Sequence, residues 1–90
     1  MDSLAQMKEG ESAMVHDLTA VGPIRRRLQD LGIIPGTKIE CVQKSPLGDP
    51  IAYMVRGAVI ALRQEDASTV LISEVLPLES NDRKNEGAIV

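Results

Sequence analysis

Aromatic side chains are almost missing from this 90-residue sequence. It has no tryptophan, no phenylalanine and a single tyrosine, Tyr53. Proteins that hold single-stranded nucleic acid stack bases on aromatic faces, so the shortage argues against that class. A core must instead be assembled from Val, Ile, Leu, Met and Ala. Cysteine is just as scarce: Cys41 stands alone, which excludes an intrachain disulfide and fits a reducing compartment. A thiol in such a strand reads as a small buried hydrophobe rather than a reactive group. No apolar run approaches the roughly 20 residues that cross a bilayer. The opening MDSLAQMKEGES lacks the basic start and apolar centre of a secretory signal. The expectation is a soluble cytoplasmic protein, without direct membrane insertion, that reaches a membrane only through a partner.

A basic excess is missing too. Thirteen acidic residues against ten Lys and Arg give a net charge of −3, with a pI near 5.0. Nucleic-acid modules carry the opposite balance. The triple arginine in RRRLQDLGIIPG, residues 25–36, is therefore a local feature of an acidic chain.

Enzymatic chemistry finds little to work with. An active site needs convergent acids, bases or nucleophiles, and the chain has one histidine, His16. Gly32 and Gly36 lack the Lys-Ser/Thr that completes a phosphate-binding loop, and there is no CxxC, HxxxH or calcium-type carboxylate loop. His16 and Asp17 are neighbours in a predicted strand, where alternation sends them to opposite faces. His16 is thus expected at the surface. Asp49 and the Glu65-Asp66 pair are the remaining places for a weak contact with Fe²⁺ or another divalent ion.

What is present is a run of short strands punctuated by turn formers, with no internal repeat, as suits one small domain. Leu4, Met7 and Gly10 belong to a lead-in segment. Residues 13–18 form a first predicted strand, and Gly22-Pro23 marks a helix start, proline being tolerated at the first helical position. A helix is predicted over 24–31, because Ile24, Leu28 and Leu31 fall at i, i+4 and i+7 on one face. Arg26 points away from that face, and Asp30, four residues on, is spaced to pair with it. Arg25 and Arg27 flank the stripe. The stem of Arg27 is placed to cover the core while its head pairs with a carboxylate or carbonyl. Gly32 suits the position just past the helix, where a left-handed backbone costs glycine least.

Pro35-Gly36 then fits a type II turn. Residues 37–44 alternate as a strand, with Ile39, Cys41 and Gln43 on one side. Ser45 to Pro50 is a loop dense in turn residues. Strands follow over 51–56 and 58–63, joined at Arg56-Gly57 as a hairpin. Residues 64–68 make a polar turn or single helical turn, and 69–76 a last strand. Five strands with one short helix after the first predict a mainly β, partly open five-stranded barrel. The domain is expected over 1–76. Residues 77–90 form a polar tail expected to stay disordered, with Ala88-Ile89-Val90 fraying into solvent.

Three segments in this order and spacing, RRRLQDLGIIPG, SPLGDPIAYMVRG and AVIALRQEDASTVLI, resemble the FeoA family, small cytoplasmic partners of bacterial ferrous-iron transport. The resemblance spans Leu4 to Leu76. It rests on Arg27-Leu28 through Leu31-Gly32 to Pro35-Gly36, on the Pro46–Pro50 loop, and on the Val55–Arg63 hairpin. It implies an SH3-like barrel, no catalysis and no cofactor. The implied partner is FeoB, a membrane GTPase and permease, met from the cytoplasmic side. The same module follows the DNA-binding domain of DtxR-type repressors. With no such domain ahead of it, this chain matches the free-standing transport partner better.

On this reading the partner surface is the helix face and the adjoining loop: Arg25, Arg26, Arg27, Leu28, Leu47, Gly48 and Asp49. A rigid loop beside a capped helix is preorganised and costs little to order. Leu31, Gly32, Pro35, Gly36, Pro46, Pro50, Arg56 and Gly57 hold the motif in shape. The alternatives are a metal-sensing accessory using His16, Asp49 or Glu65-Asp66, and a small nucleic-acid-binding barrel using Arg25 to Arg27.

Overall fold

The structure, a computed structural model, describes residues 2–73 and Val75. The expected tail, including Ala88-Ile89-Val90, lies outside the described residues. Five antiparallel strands form one open sheet in the order β4-β3-β2-β1-β5. They are β1 (Ser12–Leu18), β2 (Lys38–Lys44), β3 (Ile51–Val55), β4 (Ala58–Leu62) and β5 (Val70–Ile72). Helix α1 (Gly22–Asp30) follows β1, and the single turn α2 (Gln64–Ala67) separates β4 from β5. Mainly β architecture with one short inserted helix is what the turn spacing predicted. None of the described helices is long and apolar enough to cross a membrane.

Period-2 patterning builds the inner face. Ile51, Tyr53 and Val55 of β3 are all buried, as are Ile39 and Cys41 of β2. Two bulges interrupt that period. In β1 the register passes from Val15↔Ile72 to Asp17↔Leu71, so His16 is the extra residue. His16 and Asp17 are both exposed, which corrects the expectation that they take opposite faces. In β2 the register jumps between Cys41 and Gln43, leaving Gln43 exposed instead of inward with Ile39 and Cys41.

The lead-in segment proves to be core. Leu4 and Met7 are fully buried, and the buried Tyr53 hydroxyl donates to the Leu4 carbonyl at 3.1 Å. A lone tyrosine can sit inside a small core when its polar tip finds such a partner. β5 ends at Ile72, short of the predicted strand end at Leu76, which lies outside the described residues. One further bond, Ser73 N–H to Met14 O at 2.9 Å, extends its pairing.

Helix α1 starts two residues earlier than predicted and is stopped where predicted. Gly32 has φ +96° and its N–H reaches the Gln29 carbonyl at 2.9 Å, while Ile33 N–H reaches Leu28 O at 3.0 Å. These two bonds are a Schellman cap, and its two apolar positions, Leu28 and Ile33, are both fully buried in the one core. The predicted stripe needs correction at its first member: Ile24 is 47% exposed. The helix packs through its last turn, and Ile33, beyond the cap, takes the core place expected of Ile24.

Candidate functional site

The loop after β2 is tied down at both ends. Gly48 N–H donates to Ser45 O at 2.8 Å and Ser45 N–H to Pro50 O at 3.3 Å. Asp49 Oδ1 accepts the backbone N–H of Gln64 at 2.8 Å, satisfying a donor that the first turn of α2 cannot pair internally. Leu47, at the tip, is 94% exposed. A large aliphatic side chain is thus displayed on a fastened loop, in the position the sequence assigned to a partner contact.

The three arginines divide their work. Arg25 Nη1 donates to Leu18 O at 2.9 Å and to Ala20 O at 3.4 Å, bracing the chain between β1 and α1. Arg27 Nη1 lies 3.7 Å from Asp66 Oδ2, the acidic partner expected for it in kind. Arg26 is exposed, and its pairing with Asp30 does not form, since Arg27–Asp66 is the one ion pair among the described residues. Leu28, predicted among the partner contacts, is fully buried. It faces the sheet as part of the helix cap and leaves the exposed set for that reason.

Of the predicted contact residues, Arg27 lines a groove with the end of the loop, while Leu47, Gly48 and Asp49 do not reach it. Arg27 of α1, Pro50 at the end of the loop, Ala61 and Arg63 around the end of β4, and Asp66 of α2 line it together. The sequence pointed to neither Ala61 nor Arg63 here, and to Asp66 only as a weak metal contact. The signal was limited to charge, Asp66 lying within a polar turn, and nothing local says that α1 lies beside it.

Arg56 and Gly57 sit at the opposite end of the β3–β4 hairpin. Arg56 (φ +53°) and Gly57 (φ +84°) both adopt the left-handed conformation that a two-residue type I′ turn requires. The Arg56 side chain lies against the helix cap: a β-carbon on Gly32 would meet Arg56 Cδ at 3.2 Å. Thr37, Lys38, Glu40 and Met54 line a shallow groove with this turn.

Cys41 is fully buried, and burial pushes its thiol up, the reverse of what a thiolate nucleophile needs. His16, Asp49 and the Glu65-Asp66 pair are not gathered. Among the described residues no three His, Cys, Asp or Glu side chains form a group suited to a metal ion.

Comparison with known proteins adds to this geometry. The FeoA domain family matches residues 3–74. An Fe(2+) transport protein A/Fe(2+) transporter FeoB fusion protein from Porphyromonas gingivalis is 32% identical over 78 residues, which is 87% of this chain. The chain spans only 9% of that relative's length. The solution structure of iron(II) transport protein A from Clostridium thermocellum superposes with a TM-score of 0.74 at 33% identity, covering 84% of this chain and 45% of that one. The zinc complex of Stenotrophomonas maltophilia FeoA, described as a prokaryotic SH3 domain protein, gives 0.78 at 26% identity over 87% of this chain and 99% of that one. A manganese-dependent transcriptional repressor shares the fold alone, with a TM-score of 0.74 at 16% identity over 81% of this chain and 36% of that one. The open sheet is therefore SH3-like.

Proposed function

This chain belongs to the FeoA family, and on that premise we propose that it is a non-enzymatic accessory module of bacterial ferrous-iron uptake that binds a FeoB-type membrane GTPase-permease. The observation that carries the reading is the Porphyromonas gingivalis relative, whose name joins transport protein A and FeoB in one fusion protein. A covalent link holds two modules at high effective concentration. Where the modules are separate chains, a complementary surface must replace that link.

The geometry offers such a surface. Leu47 supplies an exposed apolar anchor on a loop fastened through Asp49. Arg26 on α1 and Arg63 after β4 are exposed and make no ion pair among the described residues, so they can meet acidic groups. Gly48 lets the loop turn, whereas Arg25, Arg27 and Asp49 act mainly by holding the surface in place. Preorganised patches of this kind lose little entropy on binding.

The test is a calorimetric titration of the full chain with the soluble GTPase domain of a FeoB-type transporter from the same organism, beside a ferrous-uptake assay in a strain lacking the gene. Saturable binding and reduced uptake are expected. Absence of binding together with unchanged uptake overturns the proposal.

A further inference from the structure

The sheet has two edges, and they are finished differently. At β5 the Ile72 N–H donates to the Asp2 carbonyl at 2.9 Å, and Ser3 and Leu71 form an antiparallel bridge. The N-terminal segment therefore covers that edge. β4 has no comparable cover among the described residues.

The hairpin register fixes which groups β4 presents. Its two-residue turn is closed by Val55 and Ala58, so that pair and every second pair after it exchange hydrogen bonds within the hairpin. The intervening pairs are Met54↔Val59 and Ala52↔Ala61. The N–H and C=O groups of Val59 and Ala61 therefore point outward. No backbone partner outside the hairpin meets them among the described residues.

Edge strands in soluble proteins are usually blunted by charge, proline or a bulge. Residues 58–62 read AVIAL, with neither charge nor proline, and the β3–β4 register runs without a bulge. Val59 is 59% exposed, and Ala61 is exposed beside it on the same face. Cations stand at the two ends. Arg56 stands at the turn leading into β4, in a groove with Lys38 and Glu40 of β2, which β3 separates from the edge. Arg63 shares another groove with Arg27 and Asp66, and Arg27 takes the Asp66 carboxylate.

This layout discriminates between occupants. A second copy paired antiparallel along β4 would set the Arg56 end of one chain against the Arg63 end of the other, so cations would face cations at both ends. An extended segment with acidic ends meets the opposite charge at each. We infer that the free edge of β4 is a strand-addition site for an extended protein segment that carries Asp or Glu at both ends and alternating apolar residues between them. Backbone bonds to Val59 and Ala61 supply affinity, and the flanking cations supply register and selectivity. The inference concerns a strand of stated chemistry and holds whether or not the partner is a transporter.

The experiment titrates the ¹⁵N-labelled full chain with the synthetic peptide DVTVTVD and, separately, with KVTVTVK. With the acidic peptide, the Val59 and Ala61 amides should shift and their hydrogen exchange should slow. The lysine-ended peptide, and the variant Arg63→Glu with the acidic peptide, should each bind weaker by about tenfold or more. Ala61→Pro removes an outward N–H without touching a hairpin bond. It should abolish binding while keeping a dispersed spectrum. If that variant unfolds, Arg63→Glu carries the test alone. Equal binding of the two peptides, or no shift at Val59 and Ala61 at millimolar peptide, overturns the inference. So does slow exchange of these two amides in the free chain, or a concentration-dependent shift of them without peptide, which would assign the edge to the chain itself or to a second copy.

Discussion

Asp49 and Gln64 are 15 residues apart in sequence, yet the carboxylate of one accepts the backbone N–H of the other at 2.8 Å. The bond locks the displayed loop to α2, and through Asp66 and Arg27 to α1. Asp49→Ala should cost about 1 kcal/mol, the usual scale for a lost helix cap. Asp49→Asn keeps an acceptor at this position and should recover most of that loss. Urea denaturation of the three proteins checks the ranking.

Leu47 poses the complementary case. At 94% exposure its side chain contributes almost nothing to the core, and surface changes of this kind stay within about 0.5 kcal/mol. Leu47→Ser should leave the urea midpoint unchanged and weaken association with the FeoB-type GTPase domain by about tenfold, as truncation of a central apolar anchor does. Asp49→Ala should lower stability and binding together. Separation of the two effects in Leu47→Ser distinguishes a contact from a brace.

How much of this was legible in the sequence depends on the range of the interactions. The α1 cap was readable, because Gly32 and the apolar Leu28 lie within a few residues and local hydrogen bonds satisfy them. The Arg56-Gly57 turn was readable for the same reason. Ile24 misled because helical spacing says which residues share a face and not how far along the helix the sheet reaches. The bulges at His16 and Val42 defeated strict alternation, since an extra residue leaves no mark on composition. Asp49 read as a partner or metal contact, Arg25 as a partner contact, and Leu28 as both stripe and contact. The partners of Asp49 and Arg25, at Gln64 and Leu18, are set by the path of the folded chain. The edge of β4 was present in AVIAL, but only the strand order makes it an edge.

Gly32 and Arg56 provide a test of that packing. Gly32 has φ +96°, and an added β-carbon would lie 3.2 Å from Arg56 Cδ and 3.6 Å from Val55 Cγ1. Left-handed backbone alone costs a non-glycine residue roughly 1–2 kcal/mol, so Gly32→Ala should lose at least that much. Trimming the neighbour in Gly32→Ala/Arg56→Ala should leave the backbone term and remove the contact term. A double-mutant cycle should therefore give a favourable coupling. Additive losses would mean that Arg56 simply swings aside.

Tyr53 makes stability fall at alkaline pH. Burial, with Cys41 beside it as the smaller cause, raises its phenol well above the ordinary value near 10. Burial also raises the Cys41 thiol. A group whose proton is held more tightly in the folded state contributes its full stabilisation below the unfolded value, and loses it as pH climbs through the folded one. Stability should therefore hold to about pH 8 and decline beyond, first through the thiol and then through the phenol. Tyr53→Phe leaves the Leu4 carbonyl without its donor, costing about 1–3 kcal/mol at neutral pH, but flattens the decline above about pH 10. Urea midpoints across that range check the slope. Because Tyr53 is the only aromatic residue, tyrosinate absorbance should rise together with unfolding.

The arginine triplet should separate into three unequal residues. Arg25 gives charged hydrogen bonds to two carbonyls from a partly buried position, so Arg25→Ala should cost about 1–2 kcal/mol. Arg27 keeps 60% of its side chain exposed and holds Asp66 at 3.7 Å. Screening limits such a pair, and Arg27→Ala should cost less than about 1 kcal/mol. Arg26→Ala should fall within about 0.5 kcal/mol of the parent. A nucleic-acid site would instead make the three similar in effect, each removal reducing the salt dependence of binding by a comparable step. Denaturation of the single variants, paired with a low-salt titration of a DNA duplex, decides between the two patterns. With Arg25 turned onto the backbone and Arg27 onto Asp66, graded stability losses and no salt-dependent DNA binding are the expected result.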